Sequence, residues 1–253
     1  MKKPDRQAWL GGGEDRCANP PDPPSGQPWR LVLLGAPGVG KGTQAEILCE
    51  RLNACHLSTG DILRAALCDG KATRSAALEA ALASMRRGDL VSDDIMMQLI
   101  SERGRCLRCC GGFVLDGFPR TVAQARALEG LLERESVALD AVFNYELPTD
   151  EIVERLGGRL VCKECKAVFH ETHQPPQVAG VCDKCGKPLF KREDDKPEAI
   201  RTRLHVFDET NRPLVDWYTQ KGLLITVPAH GSPEEIYVRT WTCGRAVPAG
   251  AAS

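Results

Sequence analysis

Four short apolar runs recur along the chain, at residues 31–34 (Leu-Val-Leu-Leu), 113–115, 141–145 and 223–227, separated by stretches whose apolar residues repeat at helical spacing. Runs without polar alternation suit strands buried on both faces, and helix-length intervals between them suit parallel crossover connections. Residues 44–51, 78–87, 93–102 and 122–134 fit those helices. Residues 197–218 fit a longer one that Pro213 is expected to kink or interrupt, because proline lacks the backbone donor and crowds the preceding turn. The pattern predicts an α/β fold, a parallel sheet flanked by helices, with no internal repeat.

The ends of the chain lack this periodicity. Residues 1–28 hold Gly11-Gly12-Gly13, Pro20-Pro21 and Pro23-Pro24 and read as a disordered N-terminal extension, and residues 244–253 as a flexible tail. A chain of 253 residues then forms one main core, over 29–157 and 196–243, with small appendages. No stretch approaches the roughly 20 apolar residues needed to cross a bilayer. The N-terminus lacks the apolar centre of a secretory signal and carries Asp5, Glu14, Asp15 and Asp22, unlike an acid-poor transit peptide. No membrane partner and a cytoplasmic location are the expectations. The formal net charge of −1 gives no reason to expect nucleic acid, so an anion site has to gather its positive charge locally.

Such a site follows the first apolar run. Gly35-Ala36-Pro37-Gly38-Val39-Gly40-Lys41-Gly42-Thr43 leads from a strand into a helix start. Glycines let the backbone approach phosphate oxygens, the helix start offers unpaired N–H groups and a positive dipole end, and Lys41 adds a mobile charge. Nucleotide phosphate is the matched ligand; a glycine turn without a ligand is the bland alternative. Gly42 intervenes where the general pattern places Ser or Thr, so the hydroxyl that would serve magnesium comes one position later, at Thr43.

Among 12 cysteines, four form two tight pairs, Cys162/Cys165 and Cys182/Cys185. They lie in residues 158–195, a stretch short of aliphatic residues and too small to build its own core. Cys-x₂-Cys, sixteen residues, Cys-x₂-Cys is the spacing of a four-thiolate structural zinc site. Lys163, Lys166, Lys184 and Lys187 are placed to offset the thiolate charge. Disulfides, disfavoured in a reducing compartment, and an iron–sulfur cluster are the rivals. His170 and His173 are read as packing or solvent residues, Cys17, Cys49, Cys55, Cys68 and Cys243 as isolated thiols, and Cys106, Cys109 and Cys110 as part of a variable loop.

Three further strings carry chemistry: residues 57–64 (Leu-Ser-Thr-Gly-Asp-Ile-Leu-Arg), Gly88-Asp89-Leu90-Val91, and Asp116-Gly117-Phe118-Pro119-Arg120-Thr121 with Gln124. In this order, after a P-loop and with the cysteine insert, they make the chain resemble, over about residues 31–238, an adenylate kinase of the long-lid, zinc-containing bacterial kind. The resemblance implies a P-loop core, a monophosphate-binding arm at 58–90 and a zinc-stapled lid at 158–195, closing over ATP and AMP to make ADP, with magnesium accompanying ATP and the chain acting as a monomer. Closure excludes water, which would otherwise take the phosphoryl group.

By the same resemblance, Gly38, Val39, Gly40, Lys41, Gly42, Thr43, Arg155, Arg159, Val168, Phe169 and His230 meet ATP, with Arg155 against the base and Phe169 supplying a stacking face. AMP falls to Thr59, Gly60, Arg64, Asp89, Leu90, Val91, Gly117, Phe118, Pro119, Arg120, Gln124, Arg192 and Arg203. Arg64 and Arg120 hold its phosphate, and Thr59 and Gln124 its adenine. Lys41, Arg120, Arg159, Arg192 and Arg203 surround the transferred group, Asp116 orients water on magnesium, and Asp194 steadies the lid. These residue types suit the reaction, because the acceptor is an already ionised phosphate and the difficulty is crowded negative charge, which planar guanidinium forks can hold. A kinase for UMP or CMP, or one using GTP, is the enzymatic rival. A zinc-ribbon nucleic-acid binder is the other, opposed by the scarcity of aromatic platforms, Phe169 and Phe190 alone, in the insert.

Overall fold

The computed structural model describes residues 7–11, 27–68, 75–87, 91–165, 167–192 and 195–245. The readings made for Asp89, Leu90, Lys166, Asp194 and most of 1–28 and 246–253 lie outside the described residues. Five strands build the main sheet: β1 (Trp29–Gly35), β2 (Cys55–Ser58), β3 (Gly112–Asp116), β4 (Ala141–Glu146) and, last in the chain, β8 (Leu224–Pro228). Their order is β2-β3-β1-β4-β8 and every pairing is parallel. The predicted α/β class holds, and all four apolar runs are strands.

Alternation along β1 sends its side chains into two separate cores. Leu31 and Leu33 join Val114, Phe143 and Tyr145 beneath α2 (Lys41–Leu52) and α10 (Pro233–Arg245). Val32 and Leu34 face the opposite layer, packed with Leu57, Leu115 and Val142. That layer is built by α3 (Thr59–Cys68), α4 (Ala76–Arg87), α5 (Asp93–Ser101), α6 (Gly104–Leu107), α7 (Val122–Arg134) and part of α9 (Pro197–Gln220). Burying each leucine or phenylalanine is worth roughly 1.5–3 kcal/mol, so both faces hold the strands in place and fix the positions of their C-terminal ends. In open parallel sheets those ends carry the ligand site, beside the strand where connections change direction. Here that strand is β1.

A smaller antiparallel sheet, β6-β5-β7, is made of β5 (Arg159–Cys162), β6 (Val168–His170) and β7 (Leu189–Phe190), and it follows α8 (Thr149–Gly157). Its core is Cys162, Ala167, Phe169 and Cys182 with Leu160 and Leu189.

Three expectations are corrected. Within the supposedly disordered extension, Gln7–Gly11 forms a short helix, α1, and Trp9 is only 2% exposed, because a buried indole outweighs the local lack of periodicity. Pro213 does not interrupt α9, which continues to Gln220; Leu214 and Tyr218, buried beyond the proline, hold the second half of the helix on the core. Gly244 belongs to α10 and is buried against Phe143 rather than starting a tail.

Candidate active site

The glycine turn occupies the gap between β1 and α2. Gly40 caps α2 at φ 103°, a left-handed backbone that glycine adopts without strain. Behind it, Lys41 Nζ donates to the carbonyls of Gly35 at 2.6 Å and Ala36 at 2.8 Å. Burial pushes the Lys41 ammonium down to about 8; Asp116 opposes that shift, and Arg120, Arg203 and Arg159 add to it. The fold thereby brings together, at the end of β1, side chains that lie as much as 162 positions apart in the chain. Thr43 is half-buried in the first turn of α2.

Asp116 closes β3 beside the turn, its carboxylate 3.8 Å from where a Cβ on Gly42 would stand. Burial alone would raise its pKa, but the hydrogen bond and charge of His56, with the charges of Lys41 and Arg120, more than offset this and hold the carboxyl below its usual range. His56 Nε2 lies 3.5 Å from Asp116 Oδ2 on neighbouring β2. No sequence pattern singled out His56, because β2 is four residues long and half polar.

The segment after β3 turns at Gly117 and passes a cis Phe118–Pro119 bond. Arg120 Nε donates to the Gly117 carbonyl at 2.8 Å, and the Arg120 backbone N–H donates to Gln124 Oε1 at 2.7 Å. Gln124 Nε2 in turn donates to Asp93 Oδ1, and Thr121 Oγ1 to Asp93 Oδ2, both at 2.7 Å. Gln124 is 4% exposed and uses both ends of its amide to hold the Arg120 turn, with Asp93 as an anchor that sequence reasoning missed.

On the arm, Thr59 Oγ1 donates to the Gly117 carbonyl at 3.1 Å, joining the start of α3 to the Arg120 turn. Arg64 donates to Asp61 Oδ1 at 2.7 Å and lies over Gly60, where an added Cβ would stand 2.8 Å from its guanidinium nitrogens. Phe118 is buried and Val91 half-buried.

At the base of the lid, Asp195 is buried and accepts from Arg159 Nε at 2.7 Å and Nη2 at 2.5 Å, and from Arg203 Nη1 at 3.4 Å. The Asp195 backbone N–H donates to the Arg192 carbonyl, which sets Arg192 on the same loop. Asp195, which sequence reasoning did not single out, is a carboxylate that holds these arginines.

Arg155, from α8, spans the Val39 carbonyl at 3.5 Å and the Ala229 carbonyl at 3.1 Å. The stretch it meets continues to His230, whose carbonyl, like that of Pro228, accepts from Arg239. Phe169 is a correction: alternation along β6 turns its ring into the lid core, 7% exposed, and leaves Val168 outward, so the ring offers no stacking face.

The four cysteine sulfurs lie within 4.8 Å of one another, with Cys162 to Cys185 at 3.4 Å and Cys165 to Cys182 at 3.5 Å. The rings of His170 and His173 lie against each other at a tilt of 37°, with centroids 4.5 Å apart, and both meet Glu154. Among the described residues the thiol group comprises the four cysteines alone. In the loop before β3, Cys109 Sγ lies 3.5 Å from Cys55 Sγ.

A glycine turn on the central parallel strand, with its lysine near arginines that come from the end of β3, the lid base and α9, defines a P-loop phosphotransferase. The adenylate kinase family model matches residues 33–223. The adenylate kinase of Caldicellulosiruptor bescii is 47% identical over 205 residues, covering 81% of this chain and 93% of that protein. That of Thermodesulfovibrio yellowstonii is 46% identical, covering 82% and 95%, and that of Streptomyces griseus 44%, covering 83% and 94%. The chain belongs to the adenylate kinase family.

Proposed function

We propose that this chain catalyses the reversible transfer ATP + AMP = 2 ADP, using positioned cations and no general base. The observation that carries this reading is the convergence of Lys41, Arg120, Arg159 and Arg203 on one strand end beside an ionised Asp116. The transition state spreads negative charge over the equatorial phosphate oxygens, and fixed cations in a closed, dry site stabilise that charge more than they stabilise the ground state. Lys41, already held against its own loop, exchanges two carbonyl oxygens for phosphate oxygens when ATP enters.

Arg159 and Arg203 reach the transferred group from the lid base, with Arg192 beside them, while Asp195 keeps both forks in orientation. Arg64 and Arg120 hold the AMP phosphate. Thr59 and the backbone around Val91 border its adenine, and Gln124 serves chiefly by fixing the Arg120 turn. Arg155 and the backbone at Ala229 and His230 flank the ATP base.

Asp116, an ionised oxygen donor at the mouth of the glycine turn, and the Thr43 hydroxyl fit a hydrated magnesium ion. When bound, the ion neutralises phosphate charge. Four thiols gathered on two turns suit a structural zinc ion, which would staple a lid whose own core is six side chains. Among the described residues no helix is long and apolar enough to cross a membrane, and a cytoplasmic monomer acting on free nucleotides is the accompanying proposal.

The test is ADP formation from ATP with AMP, UMP, CMP and GMP as acceptors, repeated with GTP as donor. AMP with ATP is expected to give the highest kcat/KM, and Lys41→Ala to lower kcat by about 10²-fold or more. Preference for another acceptor would overturn the adenylate reading.

A further inference from the structure

The matched family region begins at residue 33, yet α1, upstream of it, is packed into the same core as the arm. Trp9 Nε1 donates to the Ser58 carbonyl at 3.0 Å in a buried contact. Ser58 is the last residue of β2, and its hydroxyl accepts from the Asp61 backbone N–H at 3.3 Å. Asp61 in turn holds Arg64. The carbonyls of α1 are engaged as well: Arg103, 2% exposed, donates from Nε to Trp9 O at 2.6 Å and from Nη2 to Leu10 O at 3.3 Å. Its Nη1 reaches Leu99 O at 2.7 Å and Glu102 Oε2 at 3.2 Å. That same Glu102 oxygen accepts from Ser75 Oγ at 2.7 Å, and Ser75 Oγ accepts from the Leu78 N–H in the first turn of α4.

One short helix is therefore tied directly to the point where the arm leaves β2 and, through Arg103 and Glu102, to the start of the arm's second helix. Burial lowers the pKa of the Arg103 guanidinium, a sign of its desolvation, and the carbonyls of Trp9 and Leu10 supply part of what water no longer does.

We propose that residues 7–11 are a built-in clasp on the acceptor arm, with Trp9 a positioning residue that sets Ser58 and, through Asp61, Arg64 for AMP. The proposal rests on the reading of Arg64 as an AMP-phosphate ligand. The clasp acts on the acceptor side: the hydrogen bonds of α1 run to Ser58, where the arm begins, and to Arg103, which links to Glu102 and Ser75.

The experiment compares full-length wild type, Trp9→Phe, Glu102→Gln and Arg64→Ala by AMP and ATP saturation kinetics, thermal melting, and hydrogen–deuterium exchange over residues 59–68. Trp9→Phe keeps an aromatic ring and loses the N–H donor. It is expected to raise KM for AMP about 3- to 5-fold, the worth of one hydrogen bond, with KM for ATP unchanged, kcat within about twofold and faster exchange in α3. Glu102→Gln, which weakens the link to Ser75, is expected to shift AMP KM in the same direction. A raised AMP KM in Arg64→Ala, with Trp9→Phe and Glu102→Gln at wild-type values for both substrates, overturns the clasp and leaves the arm reading standing. An unchanged AMP KM in all three variants overturns the arm reading, and the clasp with it.

Discussion

Replacing Asp195 with asparagine removes one carboxylate on which two arginines depend. Its side chain is 2% exposed and receives two hydrogen bonds from Arg159 and one from Arg203, whose side chains are 16% and 31% exposed. Breaking a buried pair from one side costs about 3–5 kcal/mol, because the surviving charge is left without compensation. Partial solvation of both guanidinium groups places the expected loss at the lower end, about 3 kcal/mol. At about 2–4 °C per kcal/mol for a chain of this size, the melting temperature should fall by about 6–12 °C. Turnover should fall as well, by about tenfold or more, since both forks lose the group that aims them at the transferred phosphate. Scanning calorimetry and ADP-forming assays on Asp195→Asn and Asp195→Glu read both effects, and the glutamate variant, which keeps the charge, should recover part of each. An Asp195→Asn enzyme melting within about 1 °C of wild type, with kcat within about twofold, would refute the assignment of Asp195 as the anchor of the two arginines.

Other consequences are equally open to measurement. Chelation, or Cys182→Ser, should abolish a one-to-one zinc content seen by elemental analysis and lower activity together with lid order, whereas full activity in a zinc-free sample would count against a structural metal. Lys41 sits at about 8 with no nucleotide present, and phosphate oxygens favour its charged form. Binding a non-hydrolysable ATP analogue near pH 8 should therefore take up a fraction of a proton, and affinity should weaken as pH rises above that value. Calorimetry in two buffers of different ionisation heat detects the uptake; none would contradict the assignment. Gly60→Ala should displace the Arg64 guanidinium and raise KM for AMP several-fold with little change in melting temperature, because only the far end of a flexible side chain has to move. A large stability loss would show instead that the backbone there cannot accept a side chain.

The parts legible in sequence were those with strong local signals. Predominantly apolar runs marked four of the five strands of the main sheet, and the glycine turn and paired cysteines stood out because their spacing is itself the chemistry. The rest depended on contacts made at a distance. β2 is short, and His56 and Ser58 break its apolar pattern, so neither the strand nor the histidine beside Asp116 stood out. Trp9 lies among glycines and prolines and is held by partners 49 and 94 positions away. Pro213 would end an isolated helix, but burial of Leu214 and Tyr218 outweighs the local cost of about 3 kcal/mol. The start of α10 does carry a local signal: Ser232 and Glu235 form a reciprocal capping box. Phe169 and Gln124 show the opposite limit. Residue type suggested contact with a base; strand alternation turned the Phe169 ring into the lid core, and the hydrogen bonds by which Gln124 holds the Arg120 turn form only in the fold.

The central claim is that a fixed cage of cations assembles around phosphates passing between two nucleotides. A crystal structure with a bisubstrate mimic, two adenosines joined through a phosphate chain, tests it most directly. The account predicts Lys41 Nζ and the guanidinium groups of Arg120, Arg159 and Arg203 within about 3 Å of phosphate oxygens, with Arg64 on the acceptor side. The same side chains turned toward solvent, with the phosphate chain held by other groups, would contradict it.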